Sequence, residues 1–459
     1  MISFDQILEE KIGSGIYQLR TVSIIGLIEF CDGVEYVFMS ILMAILQKEW
    51  QLSQTQVATL GSSFLGGVVI GNCICAYITD KIGRKTSFSI FAGLSVILVY
   101  YTSFAESYNE IIILRLLFGI VFGTTSPLGY VFITEVAVAK YRGRFAFSLT
   151  LMYVAGKAYL VLLCFFFLDD YTSGNWRGLI RFNGIPVLLC FILSLIYLKE
   201  TIRYYLNKGQ YTVAFEEIED VQKQNNSQYE PLNESEKDGL IAWQLRQNNL
   251  MIKENQNEES GVLSKQHLRI TLQLWTLLIL ANFQNLSIYL LMPFLFAQEN
   301  SGFEHMLYLF LIEFVFAFVI YLFIDDPKYG GRVNIIIYAS ILLVITNLLL
   351  YIYQASILFF GMLLIKIATR GMFSTLFIIC CESYPLHLRS RGSGLAMAVG
   401  KVVSIPSPYV LFPLFAIDPY LPFLILSVLG TFMIALSITY PSDRTQKHLE
   451  VYSDVQKEE

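Results

Sequence analysis

Long apolar runs, not short alternations, dominate this chain. Twelve can be drawn, near residues 21–46, 56–79, 86–104, 110–138, 143–168 and 178–198, then 270–298, 305–324, 332–354, 356–384, 391–416 and 419–440. Several exceed the roughly 20 residues that cross a hydrocarbon core as a helix. No period-two alternation competes with them. The pattern predicts an all-α polytopic membrane protein. Its parts are a first bundle over 1–198, a polar linker over 199–268, a second bundle over 269–442 and a tail over 443–459. The first 20 residues carry acids and no cleavage pattern, so no removable signal peptide is expected.

Composition agrees: 55% of residues are hydrophobic and 15% charged, against about 25% charged in soluble domains. Lysine and arginine set the orientation. Lys81, Arg84, Lys85, Lys140, Arg142, Arg144, Lys328, Arg332, Arg389 and Arg391 all fall in connections on one side. The other side offers Lys48 and Arg177. Both termini and the linker are therefore expected in the cytosol. All seven cysteines lie inside predicted spans, which suits apolar fillers and gives no disulfide framework. The net charge of −5 shows no basic face for nucleic acid. Four scattered histidines, with no nucleophile–base pair, argue against an enzyme, a metal site or a cofactor. No phosphate-binding Gly-x-x-x-x-Gly-Lys-Ser/Thr stretch suggests primary pumping.

In the linker, Phe215, Ile218 and Val221 form one helical stripe. The Asn-, Gln- and Glu-rich remainder is expected to be flexible. A plain tether and a regulatory segment are the two readings.

The chain repeats itself. "TDKIGRK" after the second run has a counterpart in "DDPKYGGR" after the eighth. Glu135 and Glu382 are each followed seven residues later by an arginine, Arg142 and Arg389. Pairs six spans apart indicate two similar six-helix halves. On these motifs the chain resembles the major facilitator superfamily. Ala76, Asp80, Lys81, Gly83, Arg84 and Lys85 match its loop signature, with Ala76 where glycine is usual. "RLLFG", with Arg115 and Gly119, is similar to its fourth-helix motif. "ETIRYYLNKGQYTVA", with Glu200 and Arg203, is similar to a segment of its sugar and organic-ion porters, without their proline. "FCDGVEYVFMSIL" points to the synaptic-vesicle-protein-related branch. The resemblance implies two pseudo-symmetric six-helix bundles that rock about a midplane site. The implied function is secondary transport of a small organic solute, an organic anion or sugar-like, with proton coupling. The alternative is a transporter-like binding, sensor or structural protein without turnover. A monomer in a plasma or intracellular vesicle membrane is expected, with solute, protons and lipid as partners.

Charges at the helix ends can be topology signals or a breakable latch. The latch reading joins Asp80, Arg84, Glu135, Arg142, Glu382 and Arg389, with Asp326 and Arg332 as a weaker second copy. Charges at mid-depth demand more, because each costs about 2.5–3.5 kcal/mol on insertion scales. Asp32, Lys157, Glu313, Arg370 and Lys401 lie there, with Glu35 close behind and Glu29 nearer the inner interface. Asp32 and Glu35 share a helix face. Asp32 is the leading candidate for solute or proton handling, or else is held in a structural pair. Arg370 either binds an anionic group or pairs with Asp32. Lys366 stands where the family motif has an arginine. Lys157 and Glu313 are placed for an ion pair between the halves, and Lys401 favours an anionic solute. Tyr130, Asn282, Gln284, Asn285 and Tyr409 are further cavity candidates, and Pro127, Pro406 and Pro408 interrupt helices there.

Overall fold

The computed structural model describes residues 2–138, 141–225, 230–256, 262–264, 267–299, 302–323, 331–384 and 386–440, without the side chains of 76, 77, 80, 249–256, 323, 331, 381, 382 and 386–391. Within these, spans 1 to 6 are Ile16–Glu49, Gln54–Ile82, Arg84–Thr102, Tyr108–Val136, Arg142–Phe167 and Trp176–Tyr197. Spans 7 to 10 are Leu268–Gln298, Phe303–Phe323, Gly331–Tyr353 and Leu358–Glu382. Span 11 is two helices, Leu386–Val402 and Ser407–Ile417, and span 12 is Leu421–Ile438. The twelve expected runs are all helical. Side-chain caps open several of them: Ser53 and Ser107 each accept from the third amide of the helix they start, as the capping box requires.

Three boundaries differ from expectation. Span 1 begins at Ile16, because Tyr17, Gln18 and Thr21 are buried and prolong the helix below its apolar stretch. Span 11 breaks over residues 403–406, where Pro406 cannot donate to the turn before it. The linker is more ordered than its composition suggested. Ile202–Asn207, Tyr211–Asn225 and Glu234–Gln256 are helices. Ile218 and Val221 of the expected stripe are buried and Phe215 is half-buried, packed with Phe4, Ile7 and Leu8 of the N-terminal segment. Apolar burial therefore ties these residues to the first half.

The first half is drawn together along glycine seams. A Cβ on Gly33 would stand 1.9 Å from the Tyr153 carbonyl oxygen, and one on Gly156 would stand 1.9 Å from that of Phe30. Spans 1 and 5 thus touch backbone to backbone. Gly67, Gly71, Gly119 and Gly123 do the same for spans 2 and 4. Small residues spaced four apart are how membrane helices reach such contact. The halves meet where span 5 packs on span 8, span 2 on span 11 and span 1 on span 7. At the end carrying the short Leu168–Asp170/Ser173–Gly174 hairpin, the Tyr171 hydroxyl donates to the Gly302 carbonyl at 3.0 Å. At the opposite end Phe147 packs with Tyr321, ring centroids 6.5 Å apart.

Candidate functional site

Span 1 places three buried acids, Glu29, Asp32 and Glu35, at spacings of three. They diverge in what they meet. The Ser126 hydroxyl lies 3.1 Å from Glu29 and 3.4 Å from Asp32, so one donor serves two carboxylates. Ser126 immediately precedes Pro127 inside span 4. Lys401, at the end of the first helix of span 11, lies within electrostatic reach of both acids. Glu29 therefore shares its donor and its nearby cation with Asp32, one turn away on the same span. Glu35 instead binds Arg115 of span 4, whose guanidinium also lies 5.1 Å from the Phe38 ring centroid. That pair is buried within the first half.

A second cluster bridges the halves. The Lys157 ammonium of span 5 is 2.6 Å from Glu313 of span 8. Arg370 of span 10 donates through Nε to the same carboxylate at 3.2 Å. The Tyr289 hydroxyl of span 7 accepts from Lys157 at 2.8 Å and from Arg370 at 3.2 Å. Arg370 thus pairs with Glu313, not with Asp32. Lys366, one turn before Arg370, rests its ammonium 3.1 Å from the centroid of the Tyr289 ring. It is 1% exposed. Aromatic faces enclose the cluster: Arg370 lies 4.4 Å over Tyr153, Lys157 lies 4.8 Å from the Phe310 centroid, and Tyr36 packs 6.2 Å from Tyr153 and 6.4 Å from Tyr289. Tyrosine rings accept cations on their faces, a partial substitute for water.

The remaining candidates scatter. Tyr130 of span 4 packs against Phe377 of span 10 at 5.4 Å, on the seam between the halves. Asn282 donates to Leu278 of its own helix at 2.8 Å, and Asn285 is half-buried one turn on. Gln284 is turned away from the centre, donating to the Leu426 carbonyl of span 12 at 3.3 Å. Tyr409 lies at the hairpin end, its hydroxyl 2.9 Å from that of Thr59.

The basic loops build a third station. Gly83 holds φ +97°, and a Cβ there would stand 2.3 Å from a Glu200 oxygen. This turn lets Glu200 accept from the Arg84 amide at 2.9 Å and the Lys85 amide at 3.1 Å. A carboxylate at a helix N-terminus meets unpaired amides and a favourable dipole. Burial pushes the Glu200 carboxyl up from its ordinary value, and the amides pull it back. Arg84 reaches Glu135 at 3.3 Å, and the Thr201 hydroxyl donates to Glu135. Arg142 does not meet Glu135. It donates to Asp5 at 3.1 Å, and Arg203 binds the same carboxylate. Asp5 was not among the sequence candidates, because nothing local marks an N-terminal acid as a partner for residues over a hundred positions away. Arg332 is buried at the start of span 9. The side chains of Asp80, Glu382 and Arg389, and the whole of Asp326, lie outside the described residues.

Comparison with known proteins places these stations in a wider setting. The model for "Major Facilitator Superfamily" matches residues 25–408. The inner membrane metabolite transport protein YdjE of Escherichia coli is 26% identical over 366 residues, 77% of this chain and 76% of that protein. Synaptic vesicle 2-related protein of Bos taurus is 28% identical over 218 residues, 48% of this chain. The match spans 39% of that relative's own length. Among solved structures, the proton:xylose symporter XylE superposes with a TM-score of 0.73 at 18% identity, covering 95% of this chain and 98% of that one.

Proposed function

The chain belongs to the major facilitator superfamily, and from that premise we propose that it is a secondary transporter carrying a small organic solute by alternating access, coupled to protons. The observation that carries the reading is the buried charge network between the halves at mid-depth, Lys157–Glu313–Arg370 with Tyr289. Breaking a buried pair outright is costly. A network that trades partners, or is completed by a solute, lets the halves separate at one end without stranding a charge. The proton role falls to Asp32, which shares a single donor with Glu29 inside the membrane. Two carboxylates on one hydroxyl cannot both be well satisfied when charged, which favours one bound proton. Arg84 with Glu135, together with the family loop motif, would form the inner gate. Both termini and the linker face the cytosol on the positive-inside argument.

The test is uptake into proteoliposomes of whichever solutes stabilise the purified protein, with and without an imposed pH gradient. A gradient should accelerate uptake, and Asp32→Asn should abolish that acceleration. Uptake indifferent to the gradient, with Asp32→Asn transporting normally, sinks the proton role. Failure of every stabilising solute to enter sinks transport itself.

A further inference from the structure

The bridging cluster is short of an anion. Lys157, Lys366 and Arg370 surround one carboxylate, Glu313, and all four side chains are buried. Lys157 and Arg370 both bind Glu313. That leaves Lys366: its ammonium has no hydrogen-bond partner among the described residues, only the face of Tyr289. None of the span 1 acids is hydrogen-bonded to it among the described residues: Glu35 is taken by Arg115, and Glu29 and Asp32 share Ser126. A buried lysine amine whose donors are unused is costly, and more so when protonated. Around it lie the rings of Tyr289 and Phe310, with Tyr36 and Tyr153 packed against Tyr289 and each other.

We infer that Lys366 is the recognition residue for an anionic solute, with the solute's carboxylate completing the cluster beside Arg370 and its apolar body lying against the tyrosines. This rests on the transporter reading and narrows it, against a neutral sugar. A carboxylate accepts several N–H donors, and two cations 1,4-spaced on one helix face can share it.

Ligand stabilisation of the purified full chain tests this without any transport measurement. Acetate, benzoate and succinate would be compared with acetamide, benzamide and succinamide, and with D-xylose, at fixed ionic strength. At least one carboxylate should raise the apparent Tm by several degrees, and its amide and the sugar should not. Lys366→Arg should keep the shift and Lys366→Met should lose it. Unliganded Lys366→Met should be at least as stable as the parent, because a buried amine without a hydrogen-bond partner has gone. Stabilisation by xylose alone, silence across the series, or a carboxylate shift retained in Lys366→Met would each overturn the inference; should Lys366→Met not fold, loss of the shift in Lys366→Arg does so. Carboxylate binding without uptake would remove the transporter reading and leave this site standing. Sugar uptake untouched at Lys366 would do the reverse.

Discussion

Two buried ionic groups follow different rules. Glu35 and Arg115 form a one-to-one pair between spans 1 and 4, both within the first half. Lys157, Glu313, Arg370 and Lys366 join span 5 to spans 8 and 10, across the boundary between halves, with three cations to one anion. On the transport reading proposed above, the first group could remain unchanged while the halves rock, whereas the second could not, because its members lie on both halves. Among the described residues, ion pairing is complete within the first half and incomplete across the boundary.

The comparison can be broken in several ways. Glu313→Gln removes the acid that binds both Lys157 and Arg370 and should destabilise by about 3–5 kcal/mol, read as a large fall in apparent Tm or loss of folded protein. Arg115→Met should cost somewhat less, and adding Glu35→Leu should restore most of it, since a closed pair can be replaced by packed apolar groups. A double change with no recovery would make that pair part of the moving network. Next comes the glycine seam: Gly156→Ala should cost about 1–3 kcal/mol by overpacking, as its Cβ would meet the Phe30 backbone at 1.9 Å. At Gly371 of span 10 the same change meets only an Ile320 methyl at 3.4 Å and should be neutral or slightly stabilising. Equal effects at both glycines would remove the asymmetry in how the halves are packed. Glu135→Gln should cost about 1 kcal/mol, since the pair with Arg84 is largely buried but the new amide can still accept from the Thr201 hydroxyl, yet uptake should fall clearly if it gates. On the same logic Asp80→Asn should impair uptake more than Asp326→Asn.

Much of this was legible in the chain. The spans followed from apolar runs whose length the bilayer dictates, and the repeat followed from charged motifs six spans apart. Lys157 and Glu313 could be paired because opposite charges at mid-depth must find each other. Partners were harder. Asp32 and Glu35 share a face in projection, but Ser126 and Arg115 are about three turns apart on span 4, so the two acids are drawn to different levels. The tyrosine walls carry no pattern at all, since Tyr36, Tyr153 and Tyr289 converge only after three helices pack.

The break in span 11 has a mechanical meaning. Both of its segments pack on span 2 of the other half and on span 7 of its own, and within the break itself Ser62 of span 2 donates to the Ile405 carbonyl at 2.7 Å. The break is thus a joint tied to the first half through its own backbone. Lys401 sits two residues before that joint. On the transport reading proposed above, the charge near Asp32 and Glu29 would stay anchored to the first half through this tie, whichever way the rest of span 11 tilts.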